Sequence, residues 1–140
     1  MSESLRDLLY RAEHGKAGKR GYVKADGHWR FFTGYRDKTE LIEGGFKYYL
    51  WDYLLMEKRQ GVLTLYSWDS ATTRDRLETI SDYYSLPLRF ITHEGELCCK
   101  PLDCGKLDEW RYNKIVVDTI ERTIKIYIEN ERGDIEKYNY

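Results

Sequence analysis

Apolar positions along this chain change their period several times, and each change marks an element. Leu5, Leu8 and Leu9 recur at helical spacing after Ser2 and Ser4, either of which can cap a helix, with Glu3 and Asp7 near its positive end. This predicts a first helix that fades at His14-Gly15, followed by a flexible basic loop, Gly15–Gly21 (GKAGKRG). Tyr22–Ala25 and His28–Thr33 flank Asp26-Gly27, a pair that favours a two-residue hairpin turn. Gly34–Glu43 fits a strand or a charged surface segment: Thr39 and Ile42 suit a strand, Leu41 suits either. In Phe46–Glu57 (FKYYLWDYLLME) aromatics are many and β-branched residues absent, so periodicity alone leaves strand and helix open. A helix would put Phe46, Tyr49, Leu50 and Tyr53 on one face. The strand is favoured, because Lys58–Gly61 and the apolar run from Val62 complete a hairpin.

The organising stretch is Val62–Tyr84: a buried strand breaks at Trp68-Asp69-Ser70 and turns directly into an amphipathic helix with Leu77, Ile80 and Tyr84 on one stripe. Pro87 closes that segment. Leu88–Thr92 and Glu96–Lys100 read as a hairpin around His93-Glu94-Gly95, with Pro101 at the end or edge of its strand. Lys114–Thr119 and Thr123–Glu129 alternate as half-buried strands, and Ile135–Tyr140 adds a last one. The sum is one α+β domain over residues 1–140. It has a mostly antiparallel, curled sheet of seven or eight short strands, a central helix at about 71–84 and an N-terminal helix.

Composition narrows the classes. The 140 residues are 41% hydrophobic and 15% aromatic, enough to fold without a staple. A net charge of -1 gives no global field toward nucleic acid or membrane. Charge is local instead: His14–Lys38 carries seven basic residues against Asp26 and Asp37. No apolar run approaches the ~18 residues of a membrane span. Cys98, Cys99 and Cys104 are odd in number and clustered, unlike a disulfide framework, which points to a reducing, cytoplasmic setting. No cofactor motif is legible.

Four groups of residues carry candidate chemistry. At the start of the central helix, Thr72 with Asp75 resembles a capping box, and Thr72, Thr73, Arg74 and Arg76 could surround an anion. An ordinary capped helix offers the same donors. Lys16, Lys19, Arg20 and Lys24, with Trp29 and Arg30, could meet phosphates and bases of a nucleic acid. The glycine spacing is not that of a phosphate-binding P-loop, and a solvated loop before a core strand is the plainer reading. His93, Cys98 and Cys104 offer soft ligands without a C-x2-C knuckle, and adjacent cysteines on a strand face opposite ways, so no metal is expected. Asp52, Asp69, Asp75, Asp82 and Asp118 would have to converge for a metal-dependent nuclease or phosphodiesterase, and their spacing brings no two together. The remaining signal is tyrosine, 13 of them with four tryptophans, which either cover a small core or mark Tyr48, Tyr49, Trp51, Tyr53 and Tyr83 as interface candidates.

The succession FFTGYRDKTELIE, an aromatic strand, then YSWDSATTRDRLETI resembles strand–strand–TT-x-R–helix stretches in small phage-encoded proteins of unassigned function, over about Phe31–Ile80. The resemblance implies a virus-encoded accessory protein that engages a host or viral macromolecule, and carries over no catalytic residue. The expectation is therefore a non-enzymatic interaction protein with a protein partner, modulating a host machine and pairing as a homodimer. Nucleic-acid binding through 16–36 is the alternative, and a metal-dependent nuclease the third.

Overall fold

The computed structural model describes residues 2–26, 32–102 and 109–140, with side chains from residue 5 onward. In chain order the elements are α1 (Ser2–Glu13), β1 (Lys19–Val23), β2 (Gly34–Ile42), β3 (Gly45–Leu50), β4 (Tyr53–Arg59), β5 (Val62–Tyr66), α2 (Ala71–Tyr83), β6 (Leu88–His93), β7 (Glu96–Pro101), β8 (Tyr112–Asp118), β9 (Thr123–Ile128) and β10 (Ile135–Asn139). Eight strands form one antiparallel sheet in the order β1-β2-β3-β4-β5-β8-β9-β10, and β6 and β7 pair as a separate ribbon. The fold is α+β, as the alternation of periods predicts.

Ten strands replace the expected seven or eight among the described residues. Phe46–Glu57 is extended, but as two strands joined at Trp51-Asp52, where both residues have positive φ (53° and 66°). That is the twist of a two-residue hairpin turn, and nothing in a Trp-Asp pair announces it. The charged Gly34–Glu43 segment is also a strand. Its partner is Lys19–Val23, with Tyr22 opposite Tyr35 and Val23 opposite Gly34. So Lys19–Gly21 belong to a strand rather than a loop, and the expected turn at Asp26-Gly27 falls partly outside the described residues. The connection runs from Lys24 to Thr33, and its residues 27–31 lie outside the described ones.

Strand alternation gives the sheet two unlike faces. Phe46, Tyr48, Leu50, Leu63, Leu65, Ile115, Val117, Ile124 and Ile126 are buried on one face. α1 lies against β2 and β3 and touches α2, which packs beside β6. Leu5, Leu8, Leu9 and Ala12 of α1 are buried, at the spacing that predicted the helix. The β6–β7 ribbon reaches the main sheet through a two-way backbone pair between Cys99 and Trp110 (2.9 and 3.0 Å). Gly45 is required by close approach: a Cβ there would stand 1.7 Å from the Lys58 carbonyl oxygen of β4.

The sheet and α2 are joined by a buried ionic cluster. Arg76 of α2, 1% exposed, donates Nε–H to Asp37 Oδ1 (2.8 Å) and Nη2–H to Oδ2 (3.2 Å) on β2. The Tyr48 hydroxyl of β3 donates to Asp37 Oδ1, and Arg36 Nε–H donates to Oδ2 at 2.8 Å. Burial by itself would raise the Asp37 pKa, but the hydrogen bonds from Arg76, Tyr48 and Arg36 outweigh it and hold the carboxyl below its ordinary value. Burial, then the charge of Asp37, pushes the Tyr48 phenol far up, so it stays a donor.

Removing one member of such a cluster strands a buried charge, whereas replacing all members by apolar groups does not. Asp37→Ala is expected to cost about 3–5 kcal/mol. The combined Asp37→Leu, Arg76→Met and Tyr48→Phe variant should recover most of that loss, as urea unfolding will show. Because the folded Asp37 pKa lies below its unfolded value of about 3.9, its contribution is complete above that pH. It is lost as pH falls through the lower folded value. The apolar triple variant should therefore show a flatter stability profile below about pH 4, measured as unfolding midpoint against pH.

Candidate interaction site

The turn between β3 and β4 and the break between β5 and α2 meet at one end of the sheet. Trp51 and Asp52 hold left-handed backbone without a glycine, a conformation that costs about 1–2 kcal/mol per residue. Their neighbours enforce it. The Trp51 amide donates to the Arg36 carbonyl (2.9 Å), Lys38 Nζ pairs with Asp52 Oδ1 (2.6 Å), and Phe32 sets its ring against Trp51 at 5.4 Å and 89°. Tyr53 follows at once and emerges half exposed.

Across from it stands Trp68, held by the residues after it. Asp69 Oδ1 accepts the Leu97 amide (2.9 Å) and an Arg111 hydrogen bond (3.1 Å). The Leu97 bond, then Arg111, keep the Asp69 carboxyl low against the opposing effect of burial. Ser70 caps α2, its hydroxyl accepting the Thr73 amide at 3.0 Å. Trp68 and Tyr53 are each 50% exposed and stack at 4.3 Å between ring centroids, 20° apart. Beneath the stack is a cavity of about 100 Å³ lined by Leu50, Trp51, Leu54, Leu55 and Thr73 besides the two rings.

Of the interface candidates, Trp51 and Tyr53 meet here. Tyr49 lies on the opposite, accessible sheet face beneath Lys38 (5.6 Å from its ring centroid). Tyr83 is half-buried at the end of α2, edge-on to Tyr84. Tyr48 is fully buried with its hydroxyl on Asp37, and offers no surface. Spacing could not separate Tyr48 from Tyr49, because adjacent strand residues face opposite ways whichever face is core. Trp68 and Phe32 join this group although their sequence context does not mark them as interface residues. The signal for Trp68 was an indole placed among turn formers, where no core requires one.

The anion site does not form as expected. Ser70, not Thr72, is the cap. Thr73 and Arg76 are buried, turned into the cap and the Asp37 cluster, and Thr72 is half-buried. Arg74 alone is exposed. It lines an open groove of about 690 Å³ beside β6, where Arg6 pairs with Asp82 and Arg89 with Glu78 (3.1 Å).

The basic stretch is mostly committed. Arg20 pairs with Asp7, Arg36 with Asp37 and Lys38 with Asp52. Lys19 lies over Tyr35 (4.7 Å), Lys16 and Lys24 are exposed, and Trp29 and Arg30 lie outside the described residues.

Among the described residues no three His, Cys, Asp or Glu side chains converge as a metal site. His93 is exposed beside Glu94 and Glu109 (4.0 Å each), Cys98 and Cys99 are buried, and Cys104 lies outside the described residues. The five aspartates of the nuclease reading are dispersed. Asp52, Asp69, Asp75 and Asp82 each answer a different cation, and Asp118 accepts the amides of Ile120 (3.0 Å) and Glu121 (2.9 Å). Among the described residues no helix is long and apolar enough to cross a membrane.

Burial pushes the Cys99 thiol up to about 12, so at pH 7–8 it is expected to stay a protonated, unreactive thiol. Iodoacetamide applied to the native protein should leave Cys99 unmodified, and the same treatment in denaturant should alkylate it fully, as peptide mass spectrometry will show. Comparison of the chain with protein-family models, with curated proteins and with solved structures finds no match.

Proposed function

We propose that this chain is a non-enzymatic interaction protein that captures a protein partner in the cleft between Trp51, Tyr53 and Trp68. The observation that carries the reading is the half-exposed Tyr53–Trp68 stack. Two large rings left open to water, and beside them an apolar hollow, are the makings of an interface hot spot. Volume selects the occupant. About 100 Å³ is well below the roughly 300–1,000 Å³ of small-molecule and cofactor sites, and suits one apolar side chain. The left-handed turn at Trp51-Asp52 is a cost that β3–β4 could avoid with glycine, and it sets Trp51 as a wall of the hollow.

The virus-encoded accessory role implied by the resemblance over Phe31–Ile80 belongs to the same proposal, with a protein of the host machine as partner. Two copies meeting cleft to cleft about a two-fold axis would give the homodimer expected from the sequence.

Tyr53→Ser combined with Trp68→Ser removes the stack at half-exposed positions. The unfolding midpoint should change little, while a partner retained by the wild-type chain in affinity purification from host lysate should fall roughly tenfold or more. Light scattering on the purified proteins reads the second copy separately, as a wild-type dimer mass that drops to the monomer in the variant. Equal partner retention and equal mass in wild type and variant would sink the cleft reading.

A further inference from the structure

The accessible face of β5 and of the strands beyond it carries a second surface, which begins at Tyr66, two residues before Trp68. On the accessible face of β5-β8-β9-β10 the register aligns two cross-strand rows. One is Thr64–Val116–Lys125–Lys137 and the other is Tyr66–Lys114–Tyr127–Ile135. Their buried neighbours Leu65, Ile115 and Ile126 occupy the opposite face, so all of these side chains point away from the core. Lys114, Lys125 and Lys137 are exposed, Tyr66 and Tyr127 half-buried, and Ile135 is 51% exposed.

Three features set this patch apart. Lys125 and Lys137 stand directly opposite each other across β9 and β10, an arrangement in which like charges repel and weaken the pairing. No carboxylate among the described residues lies within ion-pair distance of Lys114, Lys125 or Lys137, whereas Arg20, Arg36 and Lys38 at the β1–β2 end all have one. Finally, one ammonium stands between flat rings: Lys114 separates Tyr66 from Tyr127 along its row and lies 4.7 Å from the Tyr127 ring centroid. The strands here carry two acids on this face: Glu57 of β4, whose charge, after burial, raises the Tyr66 phenol, and Asp118 of β8, one pleat beyond Val116, whose carboxylate accepts the Ile120 and Glu121 amides rather than pairing with a lysine.

We infer that the outer face of β8-β9-β10, with Tyr66 of β5, binds a single-stranded nucleic acid, its phosphates on Lys114, Lys125 and Lys137 and its bases on Tyr66 and Tyr127. Charge complementarity selects a polyanion, because three lysines without an ion-pair partner among the described residues form a local positive field that costs sheet stability and relaxes when phosphates neutralise it. The rings select the kind of polyanion. Every base has a π-face that stacks on tyrosine, while an acidic peptide has no planar group to offer at that spacing. Strand separation of about 4.8 Å places the two rings roughly 10 Å apart across Lys114, so they address separate nucleotides. Duplex is excluded as the preferred form, since its bases are already stacked. The ammonium over Tyr127 moves to a phosphate as a base takes its place on the ring.

Fluorescence anisotropy with labelled oligothymidylate and oligouridylate tests this on the full chain. At low salt the wild type should bind, with a log–log salt slope of magnitude about two, as three phosphate contacts on a single strand imply. Lys125→Glu with Lys137→Glu should weaken binding roughly tenfold or more and flatten that slope. Tyr66→Leu or Tyr127→Leu should weaken it roughly fivefold or more with the slope unchanged. Folding is controlled within the set, because Lys125→Glu alone turns a repulsive cross-strand pair into an attractive one. Its unfolding midpoint should rise while its affinity falls. No anisotropy change for the wild type at low salt would overturn the inference. So would binding that survives the double lysine change but is lost in Lys16→Glu with Lys19→Glu, which places the site at the β1 edge. Displacement by polyglutamate as effective as by unlabelled oligonucleotide would assign the face to an acidic protein instead, and overturn it too.

Discussion

Asp37 is the residue on which the two layers of this protein depend. A carboxylate in the middle of β2 sits under α2 with 2% of its surface exposed, and it is tolerable there only because Arg76, Tyr48 and Arg36 all donate to it. The cluster joins α2 to the two strands next to the β1 edge. Its strength lies in specificity of placement rather than in net energy, since a fully apolar replacement would be about as stable. A helix sliding by one turn along an apolar face loses little, but here it would leave a buried guanidinium without its carboxylate. Asp37 thereby sets the angle and register of α2 on the sheet. It also sets the position of the Ser70 cap and of Trp68 just before it.

The far end of α2 is tied down in a comparable way. Ser81 donates its hydroxyl to the carbonyls of Leu86 (3.3 Å) and Leu88 (2.8 Å), and Glu78 accepts the Phe90 amide (3.0 Å). The chain leaves the helix through Ser85 in left-handed conformation, the Leu86 amide returning to the Ser81 carbonyl at 2.8 Å. β6 thus begins in a fixed position beside α2. At the helix start Arg111 gathers Asp69, Glu96 and Glu129 within 3.1–3.3 Å and binds the loop before α2 to β7 and β9. These partly exposed pairs are weak individually, and together they define where the indole of Trp68 stands. Its stacking partner Tyr53 is fixed by the strained turn between β3 and β4. The cleft is therefore a meeting of two rigid supports, which suits a surface that receives a partner without reorganising.

The two proposed surfaces flank the end of β5 and differ in chemistry. Trp51, Tyr53 and Trp68 make an apolar hollow with little charge of its own. Lys114, Lys125 and Lys137 make a charged, ring-studded plane. A net charge of -1 conceals the second of these surfaces. Whole-chain charge is a sum, and a patch of three lysines disappears in it when 24 acidic residues are distributed elsewhere.

Much of the fold was legible in the chain because local patterns and tertiary packing agree. Leu5, Leu8 and Leu9 show a helix face at helical spacing. Ile124 and Ile126 show a half-buried strand, and Trp68-Asp69-Ser70 shows the break from strand to helix. Where they disagree, only the tertiary structure decides. Trp51-Asp52 turns without a turn sequence because Arg36, Lys38 and Phe32 of a neighbouring segment hold it. Lys19–Gly21 leave the glycine-rich loop because β2 offers them an edge. The functional surfaces were less legible for a physical reason: a strand pattern shows that residues alternate, but which face is covered depends on the helices packed against it. Tyr48 and Tyr49 are the same residue type in adjacent positions, yet one is a core donor to Asp37 and the other faces solvent. Arg76 looked like an anion ligand and is a core residue, because its partner lies 39 positions away on β2. Sequence alone determined the wealth of aromatics and those elements whose local pattern is unambiguous. Long-range pairing determined which of those aromatics and cations remain open to a partner.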